Sequence, residues 1–134
     1  MTDTWIILGA TSSMARAFAR KLAEEGATLY LAGRDMADLE ASAGDCKARG
    51  AADAHAVLFD ARKPDTFTPI LEAMGAEDGM LNAAVFVGSM PDQADIDADP
   101  SLIDGTVTDS FTGPARFLQA LAPLMEERGG GTVV

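Results

Sequence analysis

The apolar positions of the chain fall into short continuous blocks closed by glycine and longer stretches with helical spacing, in regular alternation. Trp5-Ile-Ile-Leu8 runs straight into Gly9 and reads as a buried strand. The small residues Ala10, Thr11, Ser12 and Ser13 then open a helix with Met14, Phe18 and Leu22 four apart on its expected apolar face. That helix is expected over about Ser13 to Glu25, with Gly26 as its C-cap. Thr28-Leu-Tyr-Leu-Ala32 is a second β-prone block ending at Gly33-Arg34-Asp35, and a second helix follows from Met36 to about Arg49, closed by Gly50. His55 to Phe59 reads as a third strand with Asp60 directly after it. Pro64 to about Ala76 reads as a third helix, and Asp78 to Val87 as a fourth, mostly apolar strand. Ser89 to Asp99 reads as an acidic loop. Pro100 to about Arg128 reads as one long helix that buries Phe117, Leu121, Leu124 and Met125, and Gly129 to Val134 as the turn into a fifth strand.

A strand, a tight small-residue turn and a helix N-terminus together make a cradle for an anion. Backbone N–H groups of the turn face the anion, and the helix dipole adds roughly half a positive charge there. This chemistry suits the pyrophosphate of a dinucleotide. In dinucleotide folds an acidic residue about 20 positions beyond the glycines bonds the ribose hydroxyls of NAD, whereas an arginine there accommodates the extra phosphate of NADP. Arg34 occupies that region and favours NADP, while the neighbouring Asp35 keeps NAD open.

Composition sets the outer limits. With 134 residues, 48% of them hydrophobic, the chain is expected to form one domain able to bury about two thirds of its unfolded surface. No apolar run approaches the roughly 20 residues of a membrane span. Met-Thr-Asp-Thr lacks the basic start and apolar core of a signal peptide, so the expected address is the cytoplasm. The net charge of −11 and the scattered lysines and arginines argue against nucleic acid as a partner. The same charge opposes an anionic cofactor only weakly, because distant surface charges are screened over about 8 Å. Cys46 shares a helical face with Met36, Leu39 and Ala43 and is read as core filler. The Asp95, Asp97, Asp99 spacing invites a calcium loop, but Pro100 stands where such a loop needs glycine and Thr106 where it needs glutamate.

The first turn resembles that of the short-chain dehydrogenase/reductase family, T-G-x-x-x-G-x-G. Gly9 matches the first glycine, Leu8 replaces the threonine, and Ser13 and Ala15 stand at the second and third glycines. The resemblance continues along the chain. Asp60-Ala61 matches the family's aspartate after the third strand, which holds the adenine amino group; read from the residues alone, Asp60 could equally cap the next helix. Against D-x-x-x-N-N-A-G, Asp78, Asn82 and Ala84 match, while Ala83 and Val85 depart. An alternative register puts the cofactor turn at Phe86-Val87-Gly88, and the sequence leaves both open. Asp109-Ser-Phe-Thr-Gly-Pro114 resembles V-N-L-T-G-P, with Ser110 where many members carry a proton-relay asparagine.

The resemblance implies an α/β fold, a Rossmann-type doubly wound parallel sheet in the order 3-2-1-4 that reaches only the start of its fifth strand. It also implies an NAD(P)-dependent oxidoreductase that transfers hydride between NADP(H) and a small-molecule carbonyl or alcohol. In that reading residues 1–134 form an NAD(P)-binding domain. Gly9, Thr11, Ser12, Ser13 and Met14 cradle the pyrophosphate, Arg34 the extra phosphate, Asp60 the adenine, and Asn82 with Ala83 the floor of the site. The long helix over Pro100 to Arg128 implies a homodimer. The family's catalytic serine and Y-x-x-x-K pair have no counterpart here. Tyr30, the one tyrosine, sits inside a strand with no lysine four residues on, so this chain alone is expected to bind cofactor without useful turnover. A non-catalytic nucleotide-binding domain is the alternative. A phospho-receiver domain is excluded because Gly9-Ala10-Thr11 replaces its acidic pair, and a kinase-type phosphate loop because no Gly-Lys-Ser/Thr follows the turn.

Overall fold

The computed structural model describes residues 2–134. Four parallel strands, β1 (Thr4–Leu8), β2 (Thr28–Gly33), β3 (Asp53–Leu58) and β4 (Leu81–Val85), form one sheet in the order β3-β2-β1-β4. Thr4 pairs with Thr28 on one side and Leu81 on the other, so the carboxyl ends of the central strands lie level at Leu8, Ala32 and Val85. Val133 bridges to Ala83 in parallel, and the Val134 N–H donates to the Ala83 carbonyl at 2.9 Å, which places the start of a fifth strand beside β4. This is the expected Rossmann-type topology.

Side-chain alternation along each strand builds a core on each face of the sheet. Ile7, Leu29 and Leu31 point to one side, where α1 (Ser13–Glu24) and α2 (Met36–Arg49) cover them with Ala15, Ala19, Leu39, Ala43 and Cys46. Ile6, Leu8, Tyr30 and Ala32 point to the other side. There they meet α3 (Phe67–Gly75), entered through a 3₁₀ turn at Pro64–Thr66, and a C-terminal helix α6 (Gly113–Glu127). Phe59 and Phe67 stack at 5.1 Å between ring centres, and Phe117 meets each of them edge-on at 5.6 Å. Cys46 is 1% exposed, and burial pushes its thiol above its ordinary pKa.

Four expectations change. Met14 is 71% exposed and does not belong to the buried face of α1, which is made by the small residues Ala15, Ala19 and Ala23 with Leu22. The strand β4 is confined to Leu81–Val85 because its register is fixed by the five residues of β1. The acidic stretch contains a short helix, α4 (Gln93–Ala98), in which Gln93 Nε2 donates to Asp97 Oδ1 at 2.9 Å one turn later. The long helix is divided: α5 (Leu102–Val107) passes through a π turn at Thr108–Thr112 into α6. Among the described residues, no helix is long and apolar enough to cross a membrane.

Candidate functional site

The chain after β1 turns sharply at Gly9, which adopts a φ of +77°. Its N–H and that of Ala10 both donate to the Ala32 carbonyl, at 2.9 and 3.0 Å, so the turn is anchored to the end of β2. A Cβ on Gly9 would lie 2.8 Å from the Phe86 carbonyl carbon and 2.9 Å from Val87 N. Glycine therefore permits the β1 turn and the segment after β4 to meet backbone to backbone. Ser12 is the N-cap of α1, its Oγ accepting from the Ala15 N–H at 3.1 Å. The N–H groups of Ser13 and Met14, in the first turn, have no partner within the helix and point out of its N-terminal end. Arg16 braces the turn: its Nε donates to the Thr11 carbonyl at 3.0 Å and its guanidinium pairs with Asp38 on α2.

Around this turn the carboxyl ends of the strands enclose a cleft. Gly9, Thr11 and Ser12 form one wall, and Gly33 and Arg34 follow from the end of β2. Phe59, Asp60 and Ala61 come from the end of β3, and Phe86, Val87 and Gly88 from the end of β4. Asp109, from the π turn, closes the far side. Open α/β sheets bind ligands at this edge.

Each polar group has a distinct state. Arg34 is exposed at the cleft. Asp35 is engaged elsewhere, as the N-cap of α2, where its Oδ1 accepts from the Asp38 N–H at 3.2 Å. Asp60 Oδ1 accepts from the Arg62 N–H at 2.9 Å, which caps a local turn; the 3₁₀ helix that follows has Lys63 at its N-cap and no side-chain cap. Among the described residues, the second oxygen of Asp60 accepts no hydrogen bond. Asp109 accepts two hydrogen bonds from Arg62, from Nε to Oδ1 and from Nη2 to Oδ2, both at 2.8 Å. The Arg62 bond holds the Asp109 carboxyl below its usual range, and the charge of Arg34 adds to the effect.

The structure thus brings Gly9, Thr11, Ser12, Arg34 and Asp60 together, with Ser13 and Met14 beside them at the start of α1. It does not bring Asn82 and Ala83 to the cleft, which corrects the expectation that they form its floor. Asn82 pairs with Trp5, three residues and about 10 Å short of the carboxyl end of β4. It is 4% exposed, its Nδ2 donating to the Thr4 carbonyl at 3.3 Å and its Oδ1 accepting from the Thr132 N–H at 2.9 Å. It ties strands together, and Ala83 is fully buried beside it. The cleft position belongs to Phe86-Val87-Gly88, the alternative register. Asp109 had no signal of its own, standing 47 residues from its partner Arg62. Tyr30 is 4% exposed, and its hydroxyl donates to Glu77 Oε1 at 2.7 Å. Burial raises its pKa above the ordinary tyrosine value, and it does not line the cleft.

The short chain dehydrogenase family model matches residues 3–134. The chain belongs to that family. An uncharacterised oxidoreductase of Mycobacterium tuberculosis is 32% identical over 130 residues, 96% of this chain and 52% of that protein. The 7alpha-hydroxysteroid dehydrogenase of Clostridium sardiniense is 30% identical over 138 residues, 96% of this chain and 50% of that one. The chain spans about half the length of these curated relatives. Among solved structures, L-sorbose reductase of Gluconobacter frateurii, complexed with NADPH and L-sorbose, superposes with a TM-score of 0.87 at 22% identity. That match covers 98% of this chain and 51% of the other, and it bears on the fold alone.

Proposed function

We propose that this chain is the dinucleotide-binding half of a short-chain oxidoreductase and that it prefers NADP(H). The observation that carries the reading is the exposed Arg34 at the end of β2, in the same cleft as the Gly9 turn, while Asp35 is occupied as a helix cap. Arg34 lines the cleft and Asp35 does not, so it is a guanidinium that this position turns toward a ligand. The site fits the group: Gly9 lets the β1 turn close against the Phe86-Val87 backbone at the cleft, and the N–H groups at the start of α1, without partners in the helix, suit a pyrophosphate.

In this reading Gly9, Thr11, Ser12, Ser13 and Met14 hold the pyrophosphate, Arg34 takes the extra phosphate, and the free oxygen of Asp60 accepts from the adenine amino group. Phe86, Val87 and Gly88 line the path beyond. When bound, the dinucleotide supplies or accepts the hydride for a carbonyl or alcohol substrate. Titration of the purified chain with NADPH and NADH tests the reading: saturable binding with NADPH the tighter ligand supports it, and equal or absent binding refutes it.

The reading extends to a homodimer. Ile103, Val107 and Phe111 recur every four residues along α5 and the π turn and are 51%, 50% and 72% exposed, an apolar stripe suited to a second copy. Analytical ultracentrifugation distinguishes a dimer from a monomer, and a monomer at high concentration removes this part of the proposal.

A further inference from the structure

One wall of the cleft carries a group that works against its proposed ligand. Asp109 lines the same cleft as Arg34, and a bare carboxylate beside an arginine competes with any phosphate for it. Yet both oxygens of Asp109 are already taken by the fork of Arg62, each at 2.8 Å.

The backbone is shaped to seat this pair. Gly105, Asp109 and Gly113 are four residues apart and share one side of the helical segment. A Cβ on Gly105 would fall 2.6 Å from Arg62 Nη2, and one on Gly113 would fall 2.5 Å from Ala61 Cβ. Glycine on both sides of Asp109 lets Ala61 and Arg62 lie along the helix. The Asp109 side chain is 15% exposed against 54% for Arg62, so the carboxylate is the embedded partner and the arginine comes to it.

Resting on the dinucleotide reading above, we propose that Arg62 is a specificity-determining residue that acts through Asp109. By occupying both oxygens of that carboxylate, it keeps Asp109 off Arg34 and leaves Arg34 free for the extra phosphate of NADP. Without Arg62, Asp109 becomes a bare anion in the wall of the cleft. It then pairs with Arg34 and repels an incoming phosphate. NADH carries no phosphate at that position and is indifferent to the exchange.

Binding of NADPH and NADH to purified Arg62→Ala, Asp109→Asn and the double variant tests this, with thermal melting to confirm that each is folded. Arg62→Ala is expected to weaken NADPH about tenfold while leaving NADH unchanged. The double variant is expected to regain most of the NADPH affinity, because the competing charge is gone. Equal loss of both dinucleotides with no recovery in the double variant would make Arg62 a mere clamp for the loop and overturn the proposal. Undiminished NADPH affinity in Arg62→Ala overturns it as well. A second measurement needs no cofactor: NMR titration of the Asp109 carboxyl. In Arg62→Ala it is expected to stay below the usual carboxylate range, held there by Arg34 beside the Ser89 hydroxyl, and to rise when Arg34 is removed as well in Arg62→Ala/Arg34→Ala. No rise from Arg62→Ala to Arg62→Ala/Arg34→Ala shows that Arg34 is not recaptured and overturns the proposal, whereas wild-type protein that binds neither dinucleotide overturns the functional reading.

Discussion

Gly9 and Phe86 meet backbone to backbone: a Cβ on Gly9 would stand 2.8 Å from the Phe86 carbonyl carbon and 2.9 Å from its oxygen. The contact joins the β1 turn to the segment after β4, and both line the cleft. Gly9 also holds a φ of +77°, a region that side chains disfavour.

Gly9→Ala is therefore expected to lower the unfolding free energy by about 3 kcal/mol, from backbone strain plus the clash. Urea denaturation measures it. A loss of a few tenths of a kcal/mol would show that the two segments separate freely.

Asn82→Ala is expected to act on stability and leave the cleft alone. It removes a second bond to the Thr4 carbonyl, which keeps its place in the β1–β4 ladder, and leaves the Thr132 N–H without its acceptor, at a cost of about 1 to 3 kcal/mol. Dinucleotide affinity of the folded variant is expected to match the wild type, and a selective loss of affinity would return Asn82 to the site.

Arg34→Ala separates the two cofactors. Loss of a charge-assisted bond worth about 1.5 to 3 kcal/mol should weaken NADPH by roughly tenfold or more and leave NADH near its wild-type affinity. Competition by 2′-AMP, strong against wild type and absent against the variant, gives an independent reading. Parallel loss of both cofactors would contradict the assignment.

Asp109 makes stability depend on acid pH. The hydrogen bond from Arg62 lowers its folded pKa, so its stabilising contribution is fully present above the unfolded value of about 3.9 and is lost as pH falls through the folded value. The stability difference between wild type and Asp109→Asn is thus constant above about pH 5 and shrinks below about pH 4. A difference that persists unchanged into strong acid would contradict the pairing.

The strand-turn-helix at Trp5 to Ala15, the Gly33-Arg34 end of β2 and the Gly50 cap were legible because each rests on local chemistry. An apolar run, a left-handed glycine and a capping side chain declare themselves in a few residues. Met14 is a place where hydrophobicity without size points the wrong way: α1 lies against the sheet through alanines at 15, 19 and 23, which leave its long apolar residue outside. The depth of Asn82 in the sheet is hidden for a different reason. Leu81 to Val87 is nearly uniform in polarity, so its pattern carries no register, and only pairing with β1 decides which residues reach the cleft. Asp109 was invisible as a site residue because its meaning depends on Arg62, and no local pattern links a β3 loop to a distant helix. The π turn is likewise a tertiary outcome, in a stretch whose residues otherwise read as helix.

The most direct measurement is an amide NMR titration of the purified chain with NADPH. Saturable shifts centred on Gly9, Ser12, Arg34, Asp60 and Gly88, with Asn82 and Ala83 the least affected, are the expected result. No saturable shifts, or shifts centred away from the carboxyl edge of the sheet, would contradict the assignment of this cleft to a dinucleotide.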